Sequence, residues 1–265
     1  MIKAIATDLD GTFLGADGQP SQRNIDAVLQ AARHGVRTIF ATGRPFRWLE
    51  VLRPTLEADP LVLASNGAVR YDLHHRRVIS ADLLDVDSTL AVVADLRATD
   101  PRLVIGVELL EGYAADPSFP IHEDRTHLLV DQSVEEALST HSPVKLLVMG
   151  LHVSSDVLAA EVAPVINERM TTTWSFTGIH GLLEVSREGV TKGSGLATLL
   201  DQLGLEPSEV AAFGDMPNDL PMLQLVGHPF RMDTAHEMLE QAGFPSAGDH
   251  DDSAVGRRIE AFLQV

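Results

Sequence analysis

Two aspartates one residue apart, Asp8 and Asp10, end the apolar stretch IKAIAT (2–7), and a turn starts at Gly11. In extended backbone, residues i and i+2 face the same way, so both carboxylates would aim at one point beyond a strand's carboxyl end. In open α/β sheets that crevice is where ligands bind. A plainer reading is equally open, with one aspartate capping the turn and the other solvated. Gly11 and Thr12 add backbone N–H groups that could face an anion.

Other apolar runs end in the same way. ATGR (41–44) leaves Thr42 and Arg44 at a strand end, and AAFGDMPND (211–219) leaves Asp215, Asn218 and Asp219 at another. Lys192 opens a helix, where the helix dipole disfavours a cation. It is either an ordinary surface lysine or a charge that offsets a bound phosphate.

These residues need elements to hold them. Residues 2–7, VRTIFAT (36–42) and LVLASNG (61–67) read as strands. A helix capped by Ser21 and ended by Gly35 falls after the first, and another is expected over roughly 46–57. The alternation returns late, with a helix over 192–204, a strand over 209–215, a helix from Asp219, a last strand near HPFRM and helices near 234–242 and 253–263. Strands alternating with helices imply a parallel sheet covered on both faces. From about 70 to 190 the strands instead come in pairs: a VRYD/RRVIS hairpin, then LVIGVELLEGYAA, VKLLVMGLH, TTTWSFTG and LLEVSRE, with helices near 88–98, 133–140 and 155–169. The expected fold class is α/β, a doubly wound parallel-sheet core (1–81 and 188–265) with an inserted α+β module (82–187).

The totals limit the partners. Among 265 residues, 38 are acidic and 20 basic, for a net charge of −18. Such a surface repels nucleic acid and anionic membrane, so neither is expected. Screening confines that repulsion to roughly 8 Å at physiological salt, so a phosphate site needs cations of its own. With no cysteine there is no disulfide or thiol chemistry, which fits a reducing cytoplasm. No apolar run approaches the ~20 residues that span a bilayer, and no secretory leader is evident.

Taken together, DLDGT (8–12), ATGR (41–44), Lys192 and GDMPND (214–219) resemble the haloacid dehalogenase superfamily of phosphatases, in order and spacing. The late GDxxND signature and the insert resemble its Cof-type, sugar-phosphatase-like branch. The resemblance implies a Rossmann-like core with a mobile specificity cap. It also implies a Mg²⁺-dependent phosphatase acting on a small phosphorylated metabolite, such as a sugar phosphate. Asp8 would be the nucleophile, giving an aspartyl-phosphate. Asp10 would protonate the leaving alcohol and then activate water, so it must carry a proton at the first step. Mg²⁺ would be held by Asp8, Asp215 and the carbonyl of Asp10, with Asp219 bracing the metal's waters. Thr42, Lys192, Asn218 and the N–H groups of Leu9 and Gly43 would bind the phosphoryl oxygens. Arg44 would touch substrate or pair with a carboxylate. Mg²⁺ prefers hard oxygen ligands, and it would relieve repulsion among carboxylates at 8, 10, 215 and 219. A phosphotransferase or mutase, or a non-catalytic module, are the alternatives on the same scaffold.

The chain departs from the family pattern in two places: FRMDTA (230–235) offers no asparagine after the fourth motif, and Phe13 follows DGT. Of eleven histidines, His74, His75, His122 and His127 fall in no zinc pattern and are expected to be solvated or packed. Asn66-Gly67 reads as a turn with at most a minor role at the site. Trp48, Trp174 and Phe176 are expected to pack, and Glu184 and Arg187 to lie near the insert's hinge. GVTKGSG lacks the spacing of a P-loop.

Overall fold

The first strand, β1 (Ala4–Thr7), is buried throughout. Helix α1 (Gln22–Arg33) follows, with Ser21 accepting from the Asn24 N–H at its start and Gly35 at φ +75° just beyond its end. Then come β2 (Arg37–Ala41), β3 (Leu61–Ala64), β4 (Val69–Asp72) and β5 (Arg77–Ala81). The helix expected over 46–57 is instead two 3₁₀ segments, Phe46–Trp48 and Glu50–Ala58, the second containing Pro54. Proline removes a backbone donor and favours such short, tight turns over a continuous α-helix. These coordinates are a computed structural model describing residues 1–120, 127–129, 131–166, 168–176 and 178–264. His122 lies outside the described residues.

The middle of the chain holds α2 (Val86–Thr99), β6 (Val104–Leu109), β7 (Tyr113–Ala115), α3 (Val134–Thr140), β8 (Pro143–Gly150), α4 (Ser155–Ile166), β9 (Met170–Thr173) and β10 (Gly181–Arg187). The return carries α5 (Lys192–Leu203), β11 (Val210–Gly214), α6 (Leu220–Leu225), β12 (His228–Met232), α7 (Glu237–Gln241), β13 (Ser246–Gly248) and α8 (Ala254–Leu263). The chain divides into two compact units, residues 1–80 with 191–265, and residues 81–190.

In the first unit one sheet runs β13-β12-β11-β1-β2-β3-β4-β5. Pairing is parallel from β13 to β3 and antiparallel between β3 and β4. Strand order proceeds outward from β1 in one direction and from β11 in the other. The boundary between β1 and β11 is therefore a topological switch point, which leaves a crevice at the strands' carboxyl ends. The VRYD/RRVIS hairpin, β4 and β5, forms the far edge of this sheet. HPFRM is not the last strand: β13 lies beyond it, three residues too short to show an alternating pattern.

In the second unit an antiparallel sheet runs β7-β6-β8-β10-β9. Ile105, Val107, Leu146, Val148, Leu183 and Val185 alternate along it and meet Val92, Leu96, Leu138, Leu158 and Val162 from α2, α3 and α4. LVIGVELLEGYAA is two strands, because Gly112 turns the chain where a Cβ would strike the carbonyl of His127. Glu184 sits within β10 rather than at a hinge, its Oε1 2.5 Å from the buried Lys145 Nζ. Trp174 packs on this core, whereas Trp48 and Phe176 are 38% and 50% exposed, so packing does not account for them. Among the described residues no helix is long and apolar enough to cross a membrane.

Candidate active site

β1 delivers its last residues to the crevice, where Asp8 N–H donates to the Phe213 carbonyl of β11 at 3.0 Å. Strand geometry then stops. Asp8 is extended, but the Leu9–Phe13 segment winds into a turn with Gly11 at φ +73°. Apolar Leu9 and Phe13 are fully buried, and Asn24 of α1 donates to the Phe13 carbonyl at 2.8 Å, which pins the turn. The two aspartates differ in exposure: Asp8 is buried, while the Asp10 side chain is 58% exposed and paired with Arg44. The cause is the turn that begins at Leu9, whose backbone is helical rather than extended, so the alternation of a strand ends between the two aspartates.

β11 ends in Gly214, and Asp215 follows, 8% exposed. Thr12 Oγ1 donates to Asp215 Oδ1 at 2.9 Å, tying the first motif to the fourth. A Cβ on Gly11 would lie 2.6 Å from Asp215 Oδ2, so the close approach requires glycine. Gly11→Ala is accordingly expected to displace the Asp215 carboxylate and, if the site carries the activity the motif resemblance implies, lower its kcat/KM roughly a hundredfold. Steady-state kinetics checks this, and an unchanged value would disprove the fit.

Asp219 is fully buried. Its Oδ2 accepts the N–H groups of Asp215 and Met216, each at 3.0 Å, so it folds the loop that presents Asp215. Its Oδ1 accepts from Lys192 Nζ at 2.7 Å, and the same ammonium reaches Asp8 Oδ1 at 2.5 Å. Lys192 is the first residue of α5, placed by the Thr191 cap, and is 1% exposed. It is therefore no surface lysine. Burial works against its charge, but Asp219 and Asp8 outweigh it and hold the ammonium above its ordinary range.

Carboxylate oxygens of Asp8, Asp215 and Asp219 all lie within 4.8 Å of one another. One ammonium among three buried carboxylates leaves surplus negative charge. Burial pushes Asp8 well above the usual carboxylate range against the pull of Lys192, with Asp219, Asp215 and Asp10 adding to the rise. Burial and then Asp219 push Asp215 up to about 7, despite the Thr12 bond and Lys192. A cluster of hard oxygen donors with unbalanced charge fits a small divalent cation.

The flanks complete the site. Arg44 forks onto Asp10, with Nε–Oδ2 at 2.8 Å and Nη2–Oδ1 at 2.6 Å. Its N–H donates to Thr42 Oγ1 at 3.0 Å. Thr42 and Asn218 are each 1% exposed, and Gly43 lies between Thr42 and Arg44 in the loop after β2. Asn218 Nδ2 donates to Asn66 Oδ1 at 3.0 Å. The FRMDTA segment leads into His236, whose N–H donates to the Asp215 carbonyl at 2.7 Å. In the sequence Thr12 offers only its backbone N–H, and Asn66 a turn with at most a minor role; the side-chain bonds of both, and His236, are what motif spacing misses.

His74 and His75 are exposed at the β4–β5 turn, and His127 is exposed as well. A second group, Asp249, His250 and Asp251, gathers near α8. There Asp251 Oδ1 accepts from the Ala16 N–H and Asp249 Oδ1 from the Asp251 N–H, so loop structure already employs both carboxylates.

Known proteins resemble this chain along its length. A sequence profile of the haloacid dehalogenase-like hydrolases matches residues 5–259. The HMP-PP phosphatase of Enterobacter sp. (strain 638) is 28% identical over 272 residues, covering 99% of this chain and 96% of the relative. Among solved structures, SMU.1108c from Streptococcus mutans UA159 superposes with a TM-score of 0.85 at 22% identity, covering all of both chains. BT1666 from Bacteroides thetaiotaomicron, described as a phosphatase of the haloalkanoate enzyme superfamily, gives 0.79 at 24% identity, covering 100% of this chain and 96% of that one.

Proposed function

Because the chain belongs to the haloacid dehalogenase-like hydrolase family, we propose that it is a Mg²⁺-dependent phosphatase of a small phosphorylated metabolite. The observation that carries this reading is the Lys192 ammonium held between Asp8 and Asp219, with Asp215 alongside, at the carboxyl ends of β1 and β11. Asp8, Asp215 and the carbonyl of Asp10 would hold the ion, which when bound supplies positive charge beside the phosphoryl group.

The chain's own residues do the rest. An oxygen of Asp8 attacks phosphorus and the bond to the leaving oxygen breaks, giving an aspartyl-phosphate. Asp10 gives its proton to the leaving oxygen. Asp10 then takes a proton from water, whose oxygen attacks phosphorus, releasing inorganic phosphate and restoring Asp8. Both Asp10 oxygens are engaged by Arg44, so that fork must open before Asp10 can reach a leaving group. Lys192, Thr42, Asn218 and the N–H groups of Leu9 and Gly43 bind phosphoryl oxygens, the positioning that phosphoryl transfer depends on. Asp219 acts by holding Lys192 and the Asp215 loop.

The relative named for HMP-PP places phosphorylated small molecules first among substrates to try. A screen of sugar phosphates, nucleotides and phosphorylated cofactors with Mg²⁺ present is expected to release inorganic phosphate from at least one class. Transfer of phosphate between positions of a substrate without its release would instead mark a mutase. No turnover of any phosphoester would reject the reading.

A further inference from the structure

Three consecutive residues, Ser65, Asn66 and Gly67, take positive φ of 51°, 57° and 91° between β3 and β4. Non-glycine residues seldom do this in succession, and such backbone persists where the surroundings dictate it. The surroundings here are three catalytic segments. Ser65 N–H donates to the Arg44 carbonyl at 3.0 Å, and Asn66 N–H to the Thr42 carbonyl at 2.9 Å. A Cβ on Gly67 would lie 2.5 Å from the Thr191 carbonyl, one residue before Lys192. The Asn66 side chain accepts from Asn218 Nδ2.

Asn218 is buried, and among the described residues its Oδ1 has no partner. Its amide orientation therefore depends on the bond to Asn66, which engages one of its two N–H groups and leaves the other for a ligand. We propose that Asn66 is a positioning residue for phosphoryl binding: the left-handed turn sets its amide oxygen, and that oxygen orients Asn218 toward a phosphoryl oxygen. This rests on the phosphatase reading above.

The test is a double-mutant cycle of Asn66→Gly and Asn218→Ala in the full-length protein. It reads inhibition by inorganic phosphate, kcat/KM for p-nitrophenyl phosphate, and Tm. Glycine keeps the left-handed turn without strain, so any fall in Tm should be small, that of one lost buried hydrogen bond. Alone, Asn66→Gly is expected to weaken phosphate inhibition and lower kcat/KM about tenfold. In the Asn218→Ala background it should change either by less than about twofold. An equal loss in both backgrounds, or no loss in the first, overturns the proposal. Asn66→Asp, which tolerates the left-handed turn as asparagine does and keeps an oxygen acceptor for the Asn218 amide, is the second variant: retained phosphate inhibition supports the proposal and its loss overturns it. If the wild type turns over p-nitrophenyl phosphate but shows no such coupling, this inference alone fails. If the wild type neither hydrolyses the ester nor binds phosphate, the phosphatase reading fails and takes the inference with it.

Discussion

Asp8→Asn is expected to cut steady-state phosphate release by roughly ten-thousandfold or more while the protein stays folded. An amide of nearly the same shape cannot form the acyl phosphate, so the covalent route closes without a change in packing. Lys192 keeps its 2.7 Å bond to Asp219, so the ammonium is not left buried and unpaired. Removing one of three clustered carboxylates also reduces repulsion, so Tm without metal should hold or rise. Phosphate release and thermal unfolding, measured on the same preparation, check both halves. Turnover within a hundredfold of wild type would refute Asp8 as the nucleophile. A collapsed Tm would show that its role is structural.

Chelation is the second large effect. EDTA should abolish phosphate release and Mg²⁺ should restore it, and full activity in chelator would refute the metal dependence. The carboxylate cluster adds a signature in stability. Asp215 rises from 3.8 to about 7 on folding. A group with a raised folded value contributes stability that is fully present below its unfolded value and is lost as pH climbs through the folded one. The chelated protein should therefore lose stability between about pH 4 and 7, on the order of 4 kcal/mol for Asp215, with Asp8 acting in the same direction. Surface carboxylates held low by local bonds, the half-buried Asp72 and Asp100 and the exposed Asp85, act oppositely and matter only in more acid solution. The informative window is pH 5 to 8. Ion binding needs the charged carboxylates, so the gap in Tm between Mg²⁺ and EDTA should widen from pH 5 to pH 8. An equal gap at both would detach the ion from this cluster.

Much of this site could be read from residue types at strand ends. Asp8, Thr42, Lys192 and Asp215 each follow an apolar run or open a helix, and a parallel sheet must gather its carboxyl ends along one edge. What could not be read was orientation. Asp8 and Asp10 look equivalent in sequence, yet one is buried while the other, beyond the turn that starts at Leu9, is exposed on Arg44. The contacts Thr12–Asp215 and Asn66–Asn218 join residues 203 and 152 positions apart, a separation at which local pattern is silent. The motif resemblance gives Asp219 only the metal's waters to brace, and its three bonds reveal that it organises Lys192 and the Asp215 loop. In the fold, short or proline-bearing pieces escaped. β13 has three residues, and Glu50–Ala58 is wound too tightly for helical periodicity to describe.

The order of strands around β1 also bears on how the protein is made. One neighbour, β2, leaves the ribosome soon after β1 does, but the other, β11, begins at Val210. At usual translation speeds that is a wait of about ten to forty seconds. Throughout it, an apolar strand that will end in the sheet interior has an unsatisfied edge, open to pairing with another nascent chain. Residues 81–190, being contiguous, can fold during that interval. The half-built sheet cannot close, and it is the stretch for which a cell's chaperones would be needed.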